Sequence, residues 1–213
     1  MRIIRLLHKW TGLIIGLFFM LSCLSGLVIG FGKLIDSYAP IFKLAKHLHK
    51  NMYCGAIGGR IIAIATLIAL IEILTGYILW GRQTIALSRS YKRNGRNPRM
   101  SLWKNLNFRF PNKLTGWHIA GGFWSGIPLL IIILTCLTWC FGWYNDIVYS
   151  LFDSGSSGSW DSNLFHTLHN LHVGNWGGKS SRILWLLAVG LGASLPVTGF
   201  LLFFRRLSGK KKH

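Results

Sequence analysis

Four long apolar stretches limit the possible folds more than any other feature of the sequence. They run over residues 10–32, 61–81, 114–145 and 183–204, and Glu72 is the only residue with a formal charge inside them. About 20 apolar residues suffice for a helix to cross a bilayer core of about 30 Å. The sequence therefore predicts an all-α membrane protein with four transmembrane helices, at about 8–32, 60–82, 114–143 and 182–204.

The positive charge is concentrated on one side of these predicted spans. The net charge is +19, and 17 of the 24 Lys and Arg residues precede the first span, lie between the second and third, or follow the fourth. Basic residues are enriched in cytoplasmic loops, so both termini and the basic loop at 83–113 are predicted to be cytoplasmic. The expected partner of this charge is membrane lipid and not nucleic acid, because anionic headgroups attract such segments.

The chain also repeats itself. LHKNMYCGAIGGRI resembles LHVGNWGGKSSRI, and ILTGYILW resembles PVTGFLLF. A histidine followed by glycines four and eight residues later occurs twice, as His8 with Gly12 and Gly16, and as His118 with Gly122 and Gly126. The sequence thus predicts two tandem transmembrane hairpins, residues 1–82 and 114–206, which are joined by the basic loop and followed by a basic tail at 207–213.

Parallel repeats are related by an axis along the membrane normal, and this symmetry pairs equivalent residues. His8 would face His118 near the inner surface, and His49 would face His172 near the outer surface. Two imidazoles, one on each side of the iron, are the ligands of a b-type haem. The pattern therefore predicts two haems b, with the glycines leaving room for the porphyrin.

Several positions keep a second interpretation. His47 and His169 form a rival pair for the outer site if Arg60 and Arg182 are aligned without a gap. Those two arginines are candidates for haem propionates or for anchoring at the interface. An interfacial histidine is often only a boundary residue, glycines spaced by four often pack helices, and the histidines are also candidates for binding a metal ion directly.

Glu72 is costly to bury as an ion, and carboxylates within membranes are often functional. It is a candidate for a hydrogen bond beside a haem or for a proton acceptor. The simpler alternative is a neutral carboxyl group bonded to a neighbouring Ser, Thr or backbone group.

Several motifs resemble the PepSY-associated transmembrane helix family. They are LHKWTGLIIGLFF with LSGL, LHKN with GGRI and LTGYILW, WHIAGGFW, and LHVGNWGG with RILWLL and VTGFLLFFRR. The resemblance implies a multi-pass protein of the bacterial inner membrane, similar to di-haem reductases that pass electrons to ferric siderophores in the periplasm. The outer loops, of about 26 and 37 residues, are too short for the large periplasmic PepSY domains of longer relatives, and the third span has LTC and LTW where a Thr-Gly step is expected.

The resemblance implies a haem-dependent ferric or siderophore reductase. Electrons would pass from an external donor on the cytoplasmic side to a periplasmic iron complex during iron uptake. No glycine-rich fingerprint for a nucleotide is visible, so the donor is expected to be a separate molecule. The alternative is a non-catalytic membrane component, or a permease subunit for metal or siderophore uptake, that holds no haem.

Overall fold

The structure is a computed structural model that describes residues 2–35, 39–152 and 162–210, and this part of the chain folds into helices without strands. The helices are α1 (Arg2–Leu34), α2 (Pro40–Asn51), α3 (Gly55–Arg93), α4 (Met100–Asn105), α5 (Lys113–Cys140), α6 (Gly142–Phe152), α7 (Ser162–Val173) and α8 (Gly178–Lys210). Four of them, α1, α3, α5 and α8, are long and apolar enough to cross a membrane. The predicted fold class, an all-α membrane protein with four spans, is confirmed.

The four spans form a bundle in which α1 and α5 lie diagonally. α1 packs against α3 and α8, and α5 packs against the same two helices. Residues at the centre are mostly small, such as Ala69, Ala120 and Ser125, while large apolar side chains face outward. This distribution suits a bilayer, where small residues allow helix backbones to approach closely. The internal two-fold relation and the cytoplasmic location of the termini stay predictions.

The segment predicted as a basic loop at 83–113 is partly helical. α3 continues to Arg93 and α4 follows, because residues 83–93 contain neither Gly nor Pro and favour helix. Asn105, which is 1% exposed, donates a hydrogen bond to the Thr84 hydroxyl at 2.7 Å and so ties α4 to α3. The apolar pattern predicted that the second span ends at about residue 82, where charged residues begin, but α3 continues as a helix to Arg93.

Shorter helices on the opposite side position two of the histidines. α2 begins at Pro40, where a missing N–H is harmless, and carries His49, while α7 carries His172. α5 ends at Cys140, where Phe141 adopts an extended backbone conformation, instead of continuing to 143 as predicted. Residues 153–161 of the second outer loop and 211–213 of the predicted basic tail lie outside the described residues.

A tight joint at Gly174 connects α7 to α8. Its φ is +71°, and an added Cβ atom would lie 2.5 Å from the Trp185 side chain. Gly178 has a similar φ of +68° but open space around it. Gly174 thus has both a conformational and a steric reason to be glycine.

We expect Gly174→Ala to lower the free energy of unfolding by about 2–5 kcal/mol, because a left-handed backbone and an overpacked contact both disfavour the methyl group. Gly178→Ala meets only the first penalty and should cost about 1–2 kcal/mol. Thermal unfolding in detergent checks this order, and equal losses from the two variants would contradict the described joint.

Candidate functional site

The structure brings His8 of α1 and His118 of α5 together at one end of the bundle. Their ring centroids are 6.4 Å apart, with the ring planes at 70°. The Nδ1 atom of His8 lies 3.0 Å from the Thr75 hydroxyl, and the Nδ1 atom of His118 lies 2.8 Å from the Thr198 hydroxyl. Each imidazole is therefore held by a threonine on a neighbouring span, on α3 for His8 and on α8 for His118.

His49 of α2 and His172 of α7 form a second pair at the other end of the bundle. Their ring centroids are also 6.4 Å apart, with the planes at 61°. His49 Nδ1 lies 3.1 Å from the Ser25 hydroxyl, and His172 Nδ1 lies 3.2 Å from the Thr135 hydroxyl. Backbone carbonyl oxygens one turn earlier on α1 and α5 lie at 3.0 and 3.1 Å from the same nitrogens.

These contacts determine which ring nitrogen carries the proton. The hydroxyls donate their own hydrogens to backbone carbonyls within their helices, for example from Thr75 to Ile71 at 2.8 Å and from Ser25 to Leu21 at 2.8 Å. Thr135 and Thr198 have equivalent carbonyl acceptors. A hydroxyl whose single hydrogen is used in this way accepts the bond from the imidazole. All four rings thus donate a hydrogen bond from Nδ1, and in a neutral ring this places the lone pair on Nε2.

Glycines lie directly against three of these rings, and the contact is closest at Gly26. A Cβ atom added at Gly76, Gly199 or Gly26 would lie 3.4, 3.5 or 3.3 Å from the Cε1 atom of His8, His118 or His49. Each glycine directly follows the threonine or serine that holds the ring. The fourth ring, His172, is held by Thr135, which is followed by Cys136 and not by glycine. This is the LTC sequence that differs from the expected Thr-Gly step.

Glu72 also contacts the first pair. One carboxylate oxygen lies 2.9 Å from His8 Nδ1, and the other accepts a hydrogen bond from the Thr11 hydroxyl. The carboxyl group therefore contacts both a histidine and a threonine, and its role beside a haem or as a proton acceptor stays a prediction.

The four glycines spaced after His8 and His118 lie against side chains of neighbouring spans. An added Cβ atom at Gly12 would come within 3.2 Å of the Glu72 carboxylate, and one at Gly126 within 2.5 Å of the Tyr77 hydroxyl. Gly16 and Gly122 lie against α8, and Gly16 also lines an apolar cavity of about 270 Å³ between α1 and α8. These glycines have a packing role here, and their role beside a porphyrin stays a prediction.

The rival outer histidines are not brought together. His47 is exposed and lies 5.4 Å from the Tyr53 ring, whereas His169 stacks on Phe165 at 6.3 Å. The spacing explains this register, since Thr75 follows His49 by 26 residues and Thr198 follows His172 by the same 26. Alignment of these two threonines therefore matches His49 with His172, and the two rings lie together.

The two predicted propionate partners differ in their surroundings. Arg60 is exposed on α3, whereas Arg182 is partly buried on α8 and donates a hydrogen bond to the Lys33 carbonyl at 3.2 Å. The Arg182 Nε atom is buried and has no hydrogen-bond partner among the described residues. Arg182 thus has a free donor for a carboxylate, and the propionate role of both residues stays a prediction.

The environment of the outer pair favours neutral imidazoles. Burial lowers the pKa of His49 below its ordinary value of 6.5 and lowers the pKa of His172 to about 4. An imidazole binds a metal ion only through an unprotonated nitrogen. At neutral pH both rings therefore have a lone pair available on Nε2.

The geometry of each pair fits two axial ligands of one metal ion. Nitrogen–metal bonds of about 2 Å on both sides, added to the radii of the two rings, separate the ring centroids by roughly 6 Å. Metal-binding histidines usually donate their other N–H to an oxygen atom that fixes the ring, as all four do here. The residues present therefore fit a haem between each pair of rings.

Sequence reasoning missed the residues that hold the rings, which are Ser25, Thr75, Thr135 and Thr198. The signal was present in LSGL, LTGYILW and PVTGFLLF, but these strings served only as evidence for the repeat and the resemblance. A hydroxyl residue directly before a glycine, at matched positions of the two hairpins, identifies Thr75 and Thr198.

Comparison with known proteins gives one match. The PepSY-associated TM region matches residues 32–161, more than half of the chain. This range includes His49 and His118, whereas His8 and His172 lie on either side of it. No curated protein and no solved structure matches the chain.

We expect Thr198→Val to lower the free energy of unfolding by about 0.5–1.5 kcal/mol, because the Nδ1–H of His118 loses the Thr198 hydroxyl and keeps only the Leu195 carbonyl as acceptor. Thr66→Val is the control, since the Thr66 hydroxyl donates to the Ile62 carbonyl of its own helix and its one bond to another span is to the thiol of Cys136, which is a weak hydrogen-bonding group. Thermal unfolding in detergent measures the stability of both variants. Equal stability of the two would contradict the hydrogen bond assigned to His118.

Proposed function

The chain belongs to the family of the PepSY-associated TM region, and from this premise and the two histidine pairs we propose that it is a di-haem protein of the bacterial inner membrane. It passes electrons from the cytoplasmic side to a ferric complex, such as a ferric siderophore, in the periplasm. The acceptor takes one electron and its Fe(III) becomes Fe(II), while an external donor is oxidised. The protein thereby acts as a ferric reductase in iron uptake.

The observation that carries the proposal is the common arrangement of both pairs, in which an oxygen atom contacts each Nδ1 and the ring centroids are 6.4 Å apart. A packing role for the histidines explains one bonded nitrogen per ring, but it gives no reason for two pairs with the same 6.4 Å spacing and the same proton position. A haem held by the two rings of each pair would account for both features, because each histidine would bind through Nε2 while its Nδ1–H stays bonded to an oxygen atom.

A b-type haem supplies a one-electron Fe(III)/Fe(II) couple when it is bound. His8 and His118 would hold the inner haem, and His49 and His172 the outer haem. The chain's own contribution is to fix the rings through the hydroxyl groups, to keep water out with apolar spans, and to offer Arg182 to a carboxylate. Trp139, whose ring centroid lies 5.1 Å from that of His172, would cover one side of the outer site.

The distance between the two sites suits transfer across a membrane. On α1, Ser25, which holds His49, lies 17 residues after His8, and on α5 the same number separates His118 from Thr135. A rise of 1.5 Å per residue converts this spacing to about 25 Å. Two sites at this separation would lie near opposite surfaces of a hydrocarbon core of about 30 Å.

The charge distribution supports the direction. The basic termini and the segment after α3 would face the cytoplasm, so His8 and His118 would lie on the donor side. His49 and His172 would lie on the periplasmic side, next to the acceptor. The donor is an external reductant that docks at the cytoplasmic end.

Histidine substitutions test the ligand assignment. We expect about two haems per wild-type chain and one haem after His118→Asn or His172→Asn, because each variant removes one axial ligand. His47→Asn and His169→Asn are matched controls on α2 and α7 and should keep both haems. A pyridine haemochrome assay counts the haems, and a Soret band that shifts on dithionite reduction identifies them.

Two outcomes would contradict the proposal. A colourless wild-type protein from haem-sufficient cells would favour the alternative, a non-catalytic component or permease subunit for metal or siderophore uptake. Loss of an outer haem in His169→Asn but not in His172→Asn would exclude the pairing of His49 with His172.

Orientation has its own test at Cys54, which is exposed at the junction of α2 and α3. In intact spheroplasts we expect a membrane-impermeant maleimide to label the protein at Cys54, because this end would face the periplasm. Cys54→Ser should abolish the labelling, since Cys23 is buried and Cys136 and Cys140 lie within α5. Labelling that requires permeabilised membranes would reverse the proposed direction.

A further inference from the structure

Glu72 breaks the symmetry between the two inner histidines. Its carboxylate lies 2.9 Å from His8 Nδ1, and its side chain is 17% exposed. Within the described residues, the other three paired imidazoles meet only hydroxyl or carbonyl oxygens at Nδ1. One ring of the four therefore has a partner with a formal charge.

The second hairpin has no counterpart of this charge. Glu72 precedes Thr75 by three residues, and the residue three positions before Thr198 is Leu195. His118 accordingly has the Thr198 hydroxyl as its side-chain partner, at 2.8 Å, and no carboxylate. An ionised carboxylate inside a membrane is costly, so this departure from the repeat is not explained by packing.

A carboxylate at Nδ1 has a defined effect on a metal held at Nε2. It accepts the Nδ1–H bond strongly and makes the imidazole a more basic ligand. Its negative charge also favours the oxidation state of iron with the higher positive charge. Both effects stabilise Fe(III) relative to Fe(II), so they add and do not cancel.

We propose that Glu72 is a positioning residue that lowers the reduction potential of the inner site below that of the outer site and so directs electrons outward. This inference rests on the proposed function, because it needs iron at both histidine pairs. An electron at the lower-potential inner site moves to the higher-potential outer site with a decrease in free energy. The asymmetry thus gives an otherwise duplicated bundle a preferred direction.

The test measures midpoint potentials by spectroelectrochemical titration of the haem-loaded full chain. His172→Asn serves as the background, because it leaves only the inner haem and so assigns the signal. Adding Glu72→Gln should raise the inner midpoint by at least about 59 mV, which is a tenfold change in the ratio of reduced to oxidised haem. Glu72→Asp keeps the charge and should restore most of the wild-type potential.

Leu195→Glu is the matched gain-of-charge variant in the second hairpin. It places a carboxylate near His118 and should lower the inner midpoint further, so it tests the proposal even if Glu72→Gln loses the inner haem. In the His118→Asn background, which leaves only the outer haem, Glu72→Gln should not move the midpoint.

The results separate this inference from the proposed function. If the protein is red and Glu72→Gln does not change the inner midpoint, the role of Glu72 is overturned. If Glu72→Gln fails to bind the inner haem, an unchanged inner midpoint in Leu195→Glu overturns it instead. Both results leave the di-haem function standing. An equal shift of both haems in Glu72→Gln also overturns it. A colourless wild-type protein overturns the proposed function and this inference together.

Discussion

An imidazole N–H in an apolar interior needs an acceptor, and the arrangement of the spans follows from this need. A buried donor without a partner costs about 1–3 kcal/mol. Here each of four Nδ1–H groups meets a serine or threonine hydroxyl on an adjacent span. These bonds connect α1 to α3, α5 to α8, α2 to α1 and α7 to α5, so they fix the helices in one register while they orient the rings.

The same bonds are the basis of the proposed cofactor sites. Their common result is that each ring is held at Nδ1, which leaves Nε2 for a metal ion, in two pairs about 25 Å apart along the spans. Family membership supports a membrane protein with four spans, and the paired lone pairs support haem. Glu72 then supplies the difference between two otherwise similar ends.

The sequence predicted the spans and the two histidine pairs, because the length of an apolar stretch and the presence of an internal repeat can both be read directly from the order of the residues. It did not predict that α3 reaches Arg93, since a helix does not end where charge begins. The contact between Glu72 and His8 joins residues 64 positions apart, and their relative rotation depends on how α1 packs on α3. The four hydroxyl partners were not predicted for the same reason, because each one contacts a histidine on a different helix.

Electron paramagnetic resonance of the oxidised, purified full chain tests the central claim most directly, because it reports the axial ligands of ferric iron. Two imidazole ligands give a strong ligand field and hence low-spin iron. We predict two low-spin ferric signals of equal intensity, of which His8→Asn removes one and His49→Asn the other. A high-spin signal in the wild type, or the absence of any haem signal from protein produced in haem-sufficient cells, would contradict ligation by the two histidine pairs.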